Sequence, residues 1–442
     1  TKNTGTIKVA QEASAGIYVK NESGKDKNTS LAENTGSIKM TGVKSVGIIA
    51  EKSKVTNSET TGTIEISGAN STGILASVSS EVINSGTIEG KTGANLVGIS
   101  VDATSTALNS GSIIMNTTHN TGIASKGGEI RNEKSIELKG GNSTGISSEN
   151  GNVTNSTVAN IKVGATESVG IYAKMSGDGD KKVINEGTIT LESPAGTTPD
   201  KSAAIYSLVD GGTGKLTTEN NGTINVDQTN SVGIFAQNNG TANTRSVVKN
   251  TKIINVSKEG SAGILGDKST ITNSGTETTE GIKLTAKKTA GIIGKKDSVV
   301  NNTGRIETNT ATPTVATEGL VGISLSESTA INSGSIILDT AHSTGIFGEE
   351  NSKIINDKNG TIELKKDGNV GIYSNSNIGE VINKGTITAI GTASAGISVK
   401  LEDTIGNKNV AAKNTKKIII KGTKSVAMLG LMDAATTVAT SK

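Results

Sequence analysis

The side chains that could carry out chemistry are few in this chain and lie far apart. Two histidines, His119 and His342, are separated by 223 residues, and neither has a partner residue at metal-ligand spacing. The segment around Asp178 and Asp180 is similar to a calcium loop but lacks the further oxygen ligands of such a loop. The sequence contains no nucleophile elbow, phosphate-binding loop or HExxH motif. We therefore predict no enzyme activity, no cofactor and no metal site.

The aromatic residues share one position of a repeat, directly after an isoleucine. They are Tyr18, Tyr172, Tyr206, Phe235, Phe347 and Tyr373. Three of them come from consecutive repeats, so we expect Tyr172, Tyr206 and Phe235 to stack. Two interpretations are open: an exposed aromatic ladder that binds a sugar or a protein, or a half-buried row packed beneath the loops that follow it.

Two short motifs alternate along the chain, and the aromatic residues follow the isoleucine of the second motif. The first, typically Asn-x-Gly-x-Ile, places its isoleucine at Ile7, Ile38, Ile64, Ile88, Ile113, Ile136, Ile161, Ile189, Ile224, Ile254, Ile282, Ile306, Ile336, Ile362, Ile387 and Ile418. The second, typically Ser-x-Gly-Ile, places its apolar residue at Ile17, Ile48, Ile74, Ile99, Ile123, Ile146, Ile171, Ile205, Ile234, Ile264, Ile292, Ile323, Ile346, Ile372, Ile397 and Met428. Sixteen such pairs, repeating every 23 to 35 residues, predict a solenoid of sixteen coils.

The composition of the repeats favours strands over helices. Runs of Ile, Val and Thr are broken by Asn and Gly, and a third apolar run precedes each motif asparagine. We predict an all-β, right-handed parallel β-helix with three short strands per coil, the hand being the one that parallel crossovers prefer. The asparagines share the parity of the core residues, so we expect them to form an inward amide ladder. For the glycines of the second motif we expect positive φ at a tight corner.

The repeats predict one domain over residues 1–442, read as a fragment of a longer solenoid. The domain contains an internal duplication of about eight coils, since Ala107, Asn109 and His119 recur 223 residues later as Ala330, Asn332 and His342. Lys and Arg number 44 against 41 Asp and Glu, so the charge balance provides no basic surface for nucleic acid.

Long corners cluster in coils seven to nine, and insertions on solenoids are often binding loops. They run through residues 176–182, 210–215 and 237–245, and coil eight has a further insertion with two prolines. The candidate partner-binding patch consists of Tyr172, Asp178, Asp180, Pro194, Pro199, Tyr206, Asp210, Phe235, Asn238 and Arg245.

The repeat motifs resemble those of the passenger domains of large type V autotransporter adhesins, in particular the giant fusobacterial outer-membrane adhesins of the RadD type. This resemblance implies an extracellular protein at the bacterial cell surface. It also implies attachment to the outer membrane only through a C-terminal β-barrel outside these 442 residues. The implied partner is a host or bacterial surface protein or glycan.

Two function classes follow. The first is a bacterial cell-surface adhesin and structural stalk that presents loops for adhesion. The alternative is a polysaccharide-degrading enzyme of the lyase or depolymerase type, since such enzymes also use β-helices. An enzyme needs carboxylates or basic groups that converge on one groove, whereas the charged residues here are scattered along the repeats. We therefore favour the adhesin.

Overall fold

The computed structural model describes residues 1–22, 30–59, 61–193, 201–240, 246–308, 318–375, 378–401 and 409–432. Within these ranges the chain forms forty-eight β-strands and no helix. The strands come in threes, so each coil has a first, a second and a third strand. The predicted all-β parallel solenoid with three strands per coil is confirmed. No helix in the described ranges is long and apolar enough to cross a membrane.

Each first strand ends at the asparagine of the first motif. The first strands are β1 Lys2–Asn3, β4 Leu31–Asn34, β7 Lys54–Asn57, β10 Glu81–Asn84, β13 Thr106–Asn109, β16 Glu129–Asn132, β19 Val153–Asn155, β22 Lys181–Asn185, β25 Leu216–Asn220, β28 Ser246–Asn250, β31 Ser269–Asn273, β34 Val299–Asn302, β37 Thr329–Asn332, β40 Lys353–Asn356, β43 Ile378–Asn383 and β46 Asn409–Asn414.

The second and third strands contain the isoleucines of the two motifs. The second strands are β2 Thr6–Val9, β5 Ser37–Met40, β8 Thr63–Ile66, β11 Thr87–Gly90, β14 Ser112–Met115, β17 Ser135–Leu138, β20 Asn160–Val163, β23 Thr188–Glu192, β26 Thr223–Asp227, β29 Ile253–Val256, β32 Gly281–Leu284, β35 Arg305–Thr308, β38 Ser335–Leu338, β41 Thr361–Leu364, β44 Thr386–Ala389 and β47 Lys417–Ile420. The third strands are β3 Ala15–Lys20, β6 Val46–Glu51, β9 Thr72–Ser77, β12 Val97–Val101, β15 Thr121–Lys126, β18 Thr144–Glu149, β21 Val169–Met175, β24 Ala203–Val209, β27 Val232–Asn238, β30 Ala262–Asp267, β33 Ala290–Lys295, β36 Val321–Ser326, β39 Thr344–Glu349, β42 Val370–Asn375, β45 Ala395–Leu401 and β48 Val426–Met432.

The chain divides into two compact units, Thr1–Val247 and Val248–Lys442. Inside each unit, strands of the same rank from successive coils pair in parallel. In the first unit β10 pairs with β7 and β13, and in the second unit β34 pairs with β31 and β37. Motif residues face their equivalents one coil away, as Ile88 faces Ile64 and Ile113. The core of each unit lies inside the coils, where most first and second strands bury alternate residues and the third strands bury the motif glycine and isoleucine together.

The motif asparagines form the predicted inward ladder. In the first unit the side-chain amide of Asn84 donates to Asn109 Oδ1 at 2.7 Å, and the amide of Asn109 donates to Asn132 Oδ1 at 2.7 Å. In the second unit Asn302 donates in the same way to Asn332 at 2.7 Å. These side chains are fully buried, and the ladder gives the buried amides the partners they require. The amide-ladder prediction is confirmed.

Replacing Asn109 with Leu is expected to destabilise the first unit by about 2–6 kcal/mol. The substitution removes the acceptor of the Asn84 amide and the donor to Asn132 Oδ1, and each buried unsatisfied group costs about 1–3 kcal/mol. Urea denaturation followed by circular dichroism measures the loss. Asn160→Leu, at an exposed position of β20, is the matched control and should change stability little. A similar loss in both variants would contradict a stabilising ladder.

The glycines of the second motif do not have the predicted conformation. They lie inside the third strands, and positive φ occurs three residues earlier, as at Asn70 with φ 57° and His119 with φ 60°. A Cβ on Gly122 would lie 2.5 Å from the carbonyl oxygen of Gly145 in the next coil and 3.1 Å from Ile136 Cγ2. The prediction of a positive-φ corner at these glycines is therefore wrong, and the close approach of adjacent coils requires them instead.

Serines form further ladders at the other two corners, which the sequence analysis did not predict. Where the second strand leads to the third, the backbone amide of Ser45 donates to Ser71 Oγ at 3.0 Å. Where the third strand leads to the next first strand, the amide of Ser80 donates to Ser105 Oγ at 3.0 Å. The serine of the second motif was the sequence signal for the former ladder. Hydroxyl side chains at corners thus satisfy backbone donors of the preceding coil.

Candidate functional site

The aromatic residues of the candidate patch lie on the outer surface of the first unit, in the third strands of coils seven to nine. In β21 the side chains of Ile171, Ala173 and Met175 point into the coil, so Tyr172 and Lys174 point outward. β24 and β27 show the same alternation. This alternation places one aromatic residue of each coil on the outer face.

The three aromatic rings form a contiguous row in which Tyr206 and Phe235 stack, as predicted, while Tyr172 packs against Tyr206 at a tilt. The centroids of Tyr172 and Tyr206 lie 5.3 Å apart with a 56° angle between the rings, and those of Tyr206 and Phe235 lie 4.7 Å apart at 10°. The hydroxyl of Tyr206 donates to Gln237 Oε1 at 2.7 Å. All three side chains are partly exposed. Burial raises the pKa of Tyr172 above its ordinary value.

The packing of the rings supports both interpretations of the aromatic row, the exposed ladder and the half-buried row. The Phe235 ring stacks on one face of the Tyr206 ring, and the Tyr172 ring packs against Tyr206 at a tilt. Stacked aromatic pairs of this kind contribute about 0.5–1.5 kcal/mol beyond area burial. The row therefore stabilises the solenoid and at the same time offers a partly apolar outer surface.

The predicted aspartates connect the corners of coils seven and eight. Asp178 Oδ1 accepts hydrogen bonds from the backbone amide of Thr213 at 3.0 Å and from its hydroxyl at 2.8 Å. Asp180 Oδ1 accepts from the amide of Lys215 at 3.0 Å. These carboxylates therefore hold two long corners together. Among the described residues no group of three His, Asp or Glu side chains is arranged to hold a metal ion.

Other predicted patch residues have different surroundings. Asp210 is exposed and its carboxylate lies 2.9 Å from Lys174 Nζ, which connects the corner to the aromatic face. Asn238 is only 4% exposed, and its Oδ1 accepts from the amide of Gly240 at 2.9 Å, so it presents no side chain to a partner. Pro194, Pro199 and Arg245 lie outside the described residues.

The two histidines occupy equivalent turns of their coils. His119 and His342 have φ of 60° and 52° and are exposed. Histidine is among the residues that tolerate this left-handed conformation. Their 223-residue separation thus reflects the repeat, and each stands at the turn before its third strand.

The sequence analysis missed a charged cavity on the outer surface of the second unit. It has a volume of about 300 Å³ and lies along the second strands of coils ten to fourteen. Lys283, only 6% exposed, forms an ion pair with Glu307, which also pairs with Arg305. Burial by itself would raise the pKa of Glu307, but hydrogen bonds and positive charge from Lys283 and Arg305 hold that pKa below its ordinary value.

The cavity is formed where a first motif contains an insertion. This insertion was the feature of the sequence from which the cavity could have been predicted. Between Asn273 and Ile282 the first motif contains five extra residues, 276–280. The Lys283 ammonium donates to the carbonyl of Thr278 in this segment at 2.7 Å. The spacing between the two motif isoleucines does not register the insertion, because it lies before the first of them.

The sequence of this chain matches one model of a known protein family. The family model described as BigA third pectate lyase-like domain matches residues 58–244 and 341–440, about two thirds of the chain. The chain belongs to this family. Membership in the BigA domain family suggests a bacterial, surface-exposed, adhesin-like protein. No curated protein and no solved structure matches the chain.

The BigA-type match covers every candidate patch residue except Arg245, but it does not cover most of the charged cavity. Tyr172, Tyr206 and Phe235 lie inside the first matched segment. Lys283, Arg305 and the other cavity residues before 341 lie between the two segments. The cavity is therefore built mainly by a part of the chain that the family model does not describe.

Proposed function

We propose that this chain is part of the passenger of a bacterial surface adhesin of the autotransporter type, related to the giant fusobacterial adhesins of the RadD type. The solenoid serves as a stalk that holds its long corners away from the outer membrane. Coils seven to nine bind a host or bacterial surface protein or glycan. One observation carries this proposal: the outward aromatic stack and the two linked long corners occur together on consecutive coils.

The arrangement of the patch supports binding in three ways. Tyr and Phe supply large contact areas at low entropic cost, and such residues dominate the energy of many interfaces. The Lys174–Asp210 pair provides a polar rim beside the rings. The hydrogen bonds of Asp178 and Asp180 order the corners before a partner arrives, which lowers the entropic cost of binding.

Replacing Tyr172, Tyr206 and Phe235 together with Ser is expected to reduce adhesion by about tenfold or more, because loss of aromatic anchors typically costs 1–2 kcal/mol or more. Beads coated with the 442-residue chain are counted on epithelial cells and on bacterial cells. The control replaces Phe347 and Tyr373, which hold the same coil position with centroids 5.6 Å apart in the second unit. Equal adhesion by the two folded variants would remove the patch from consideration.

Shortening the corners within residues 176–180 and 210–215, which leaves β22 and β25 intact, tests whether the loops themselves bind. We expect adhesion to fall while the circular dichroism spectrum is retained, because the backbone of the flanking strands stays paired. Undiminished adhesion would assign binding to the aromatic face alone.

The alternative, a polysaccharide-degrading enzyme, draws support from the pectate lyase-like fold of the family and from the charged cavity. Two cations keep Glu307 ionised, which makes it a poor proton donor. We propose that the chain has no catalytic activity. Formation of unsaturated or reducing ends from anionic polysaccharides by the purified chain, lost in Glu307→Gln, would reverse this assignment.

A further inference from the structure

The charged cavity of the second unit is built by a departure from the repeat. In the other described second strands the residues on the outer face are at least partly exposed, whereas all four residues of β32 are buried. The inserted segment 276–280 covers that strand. A cavity of about 300 Å³ lies at the small end of the range for ligand pockets.

The inserted segment is held in a fixed conformation. Glu280 Oε2 accepts from the backbone amides of Thr276 at 3.2 Å and Glu277 at 3.3 Å, and Glu280 Oε1 lies 2.6 Å from Lys252 Nζ. Gly281 has φ of 81°, a conformation that returns the chain to the strand. The wall of the cavity is therefore ordered by its own hydrogen bonds.

The charges that line the cavity do not cancel. Lys283 and Arg305 share the single carboxylate of Glu307. Asp339 lies 3.6 Å from Lys366, which is outside the lining. Lys365 is exposed and has no ion pair with any described residue. Three lining cations against two carboxylates, with Lys366 beside Asp339 as a further cation, leave the cavity with a net positive charge.

The polar groups that line the charged cavity determine which kind of ligand it can bind. Asn255, Thr308 and the carboxylates of Glu307 and Asp339 accept hydrogen bonds from hydroxyl groups, while Ile253 and Ile337 add apolar surface. A doubly charged anion such as phosphate would be repelled by the two carboxylates. A singly charged anion with several hydroxyl groups is attracted by the net positive charge, is repelled less by the two carboxylates, and finds acceptors for its hydroxyl groups in the lining.

We propose that this cavity binds a monoanionic, polyhydroxylated carboxylate, about the size of one sugar acid. The carboxylate meets the excess positive charge of Lys283, Arg305 and Lys365, and the hydroxyl groups donate to Glu307, Asp339 and Asn255. This site is separate from the aromatic patch and does not depend on the proposed adhesion. Most of its residues lie between the segments that the family model matches.

Saturation-transfer NMR and titration calorimetry on the 442-residue chain test this proposal with matched ligands. D-Gluconate is the probe, and D-glucitol has the same hydroxylated chain without the carboxylate. We expect gluconate to bind about tenfold or more tightly than glucitol. Inorganic phosphate should bind more weakly than gluconate. A parallel titration with methyl glucuronide tests whether the cavity binds the acidic sugar at the end of a glycan as well as a free sugar acid.

Two variants place the binding in the cavity. Lys365→Gln should weaken gluconate binding by about tenfold, and Ile337→Trp should abolish it by filling the cavity while leaving the charge unchanged. Lys384→Gln, an exposed lysine outside the cavity, is the control. Thermal melts confirm folding. The proposal is overturned if gluconate does not bind, if glucitol binds equally well, or if both variants bind gluconate as the unmodified chain does.

Discussion

Replacing Ile88 with Asp is expected to unfold several coils of the first unit, with a loss of several kcal/mol. Ile88 is fully buried in β11 and faces Ile64 and Ile113 in the adjacent coils. A carboxylate there has no partner, and burial of an unpaired charge is among the most costly substitutions. Because each coil of a solenoid is stabilised by its neighbours, we expect the damage to spread to them.

Thermal and urea denaturation of Ile88→Asp and Thr87→Asp make a matched comparison. Thr87 is the preceding residue on the same strand, and its side chain points outward and is partly exposed. The charge of the Thr87 variant stays in water, so its stability should change by less than about 0.5 kcal/mol. Equal destabilisation by the two variants would show that the assignment of inner and outer faces is wrong.

The second large effect is expected from Gly122→Ala, which should destabilise the first unit by about 1–3 kcal/mol, the usual cost of overpacking. The new methyl group would lie 2.5 Å from the Gly145 carbonyl oxygen, closer than a real Cβ contact, and backbone must move to make room. The same glycine occurs in neighbouring third strands, so a shift in one coil disturbs the pairing with the next.

Gly164→Ala is the control for this substitution. Its Cβ would meet only the Leu138 carbonyl oxygen at 3.4 Å, an ordinary contact. There the substitution should be neutral or should stabilise slightly, since alanine reduces the entropy of the unfolded chain. If calorimetric melting shows the two variants to be equally stable, close approach of the coils is not the reason for the glycine.

The surroundings of those candidate patch residues that lie within strands could be predicted from the sequence, because side chains alternate between the two faces of a strand. Tyr172 and Tyr206 contact each other because equal positions in consecutive coils must lie one strand spacing apart. The burial of Asn238 follows from the same rule, since it shares parity with Ile234 and Ala236 in β27. The role of Asp178 did not follow, because its partner Thr213 lies 35 residues later in an irregular corner.

The sequence by itself determined the solenoid, its three strands per coil and its asparagine ladder. A two-residue alternation repeated sixteen times allows one set of inward faces, and only stacked coils bury them. Only the tertiary structure decided the role of the glycines and the charged cavity. Both depend on distances between atoms of different coils: the Gly145 carbonyl opposite Gly122, and the segment before Gly281 that covers Lys283. Such approaches are set by how closely coils pack and how an insertion folds back, and the repeat pattern specifies neither.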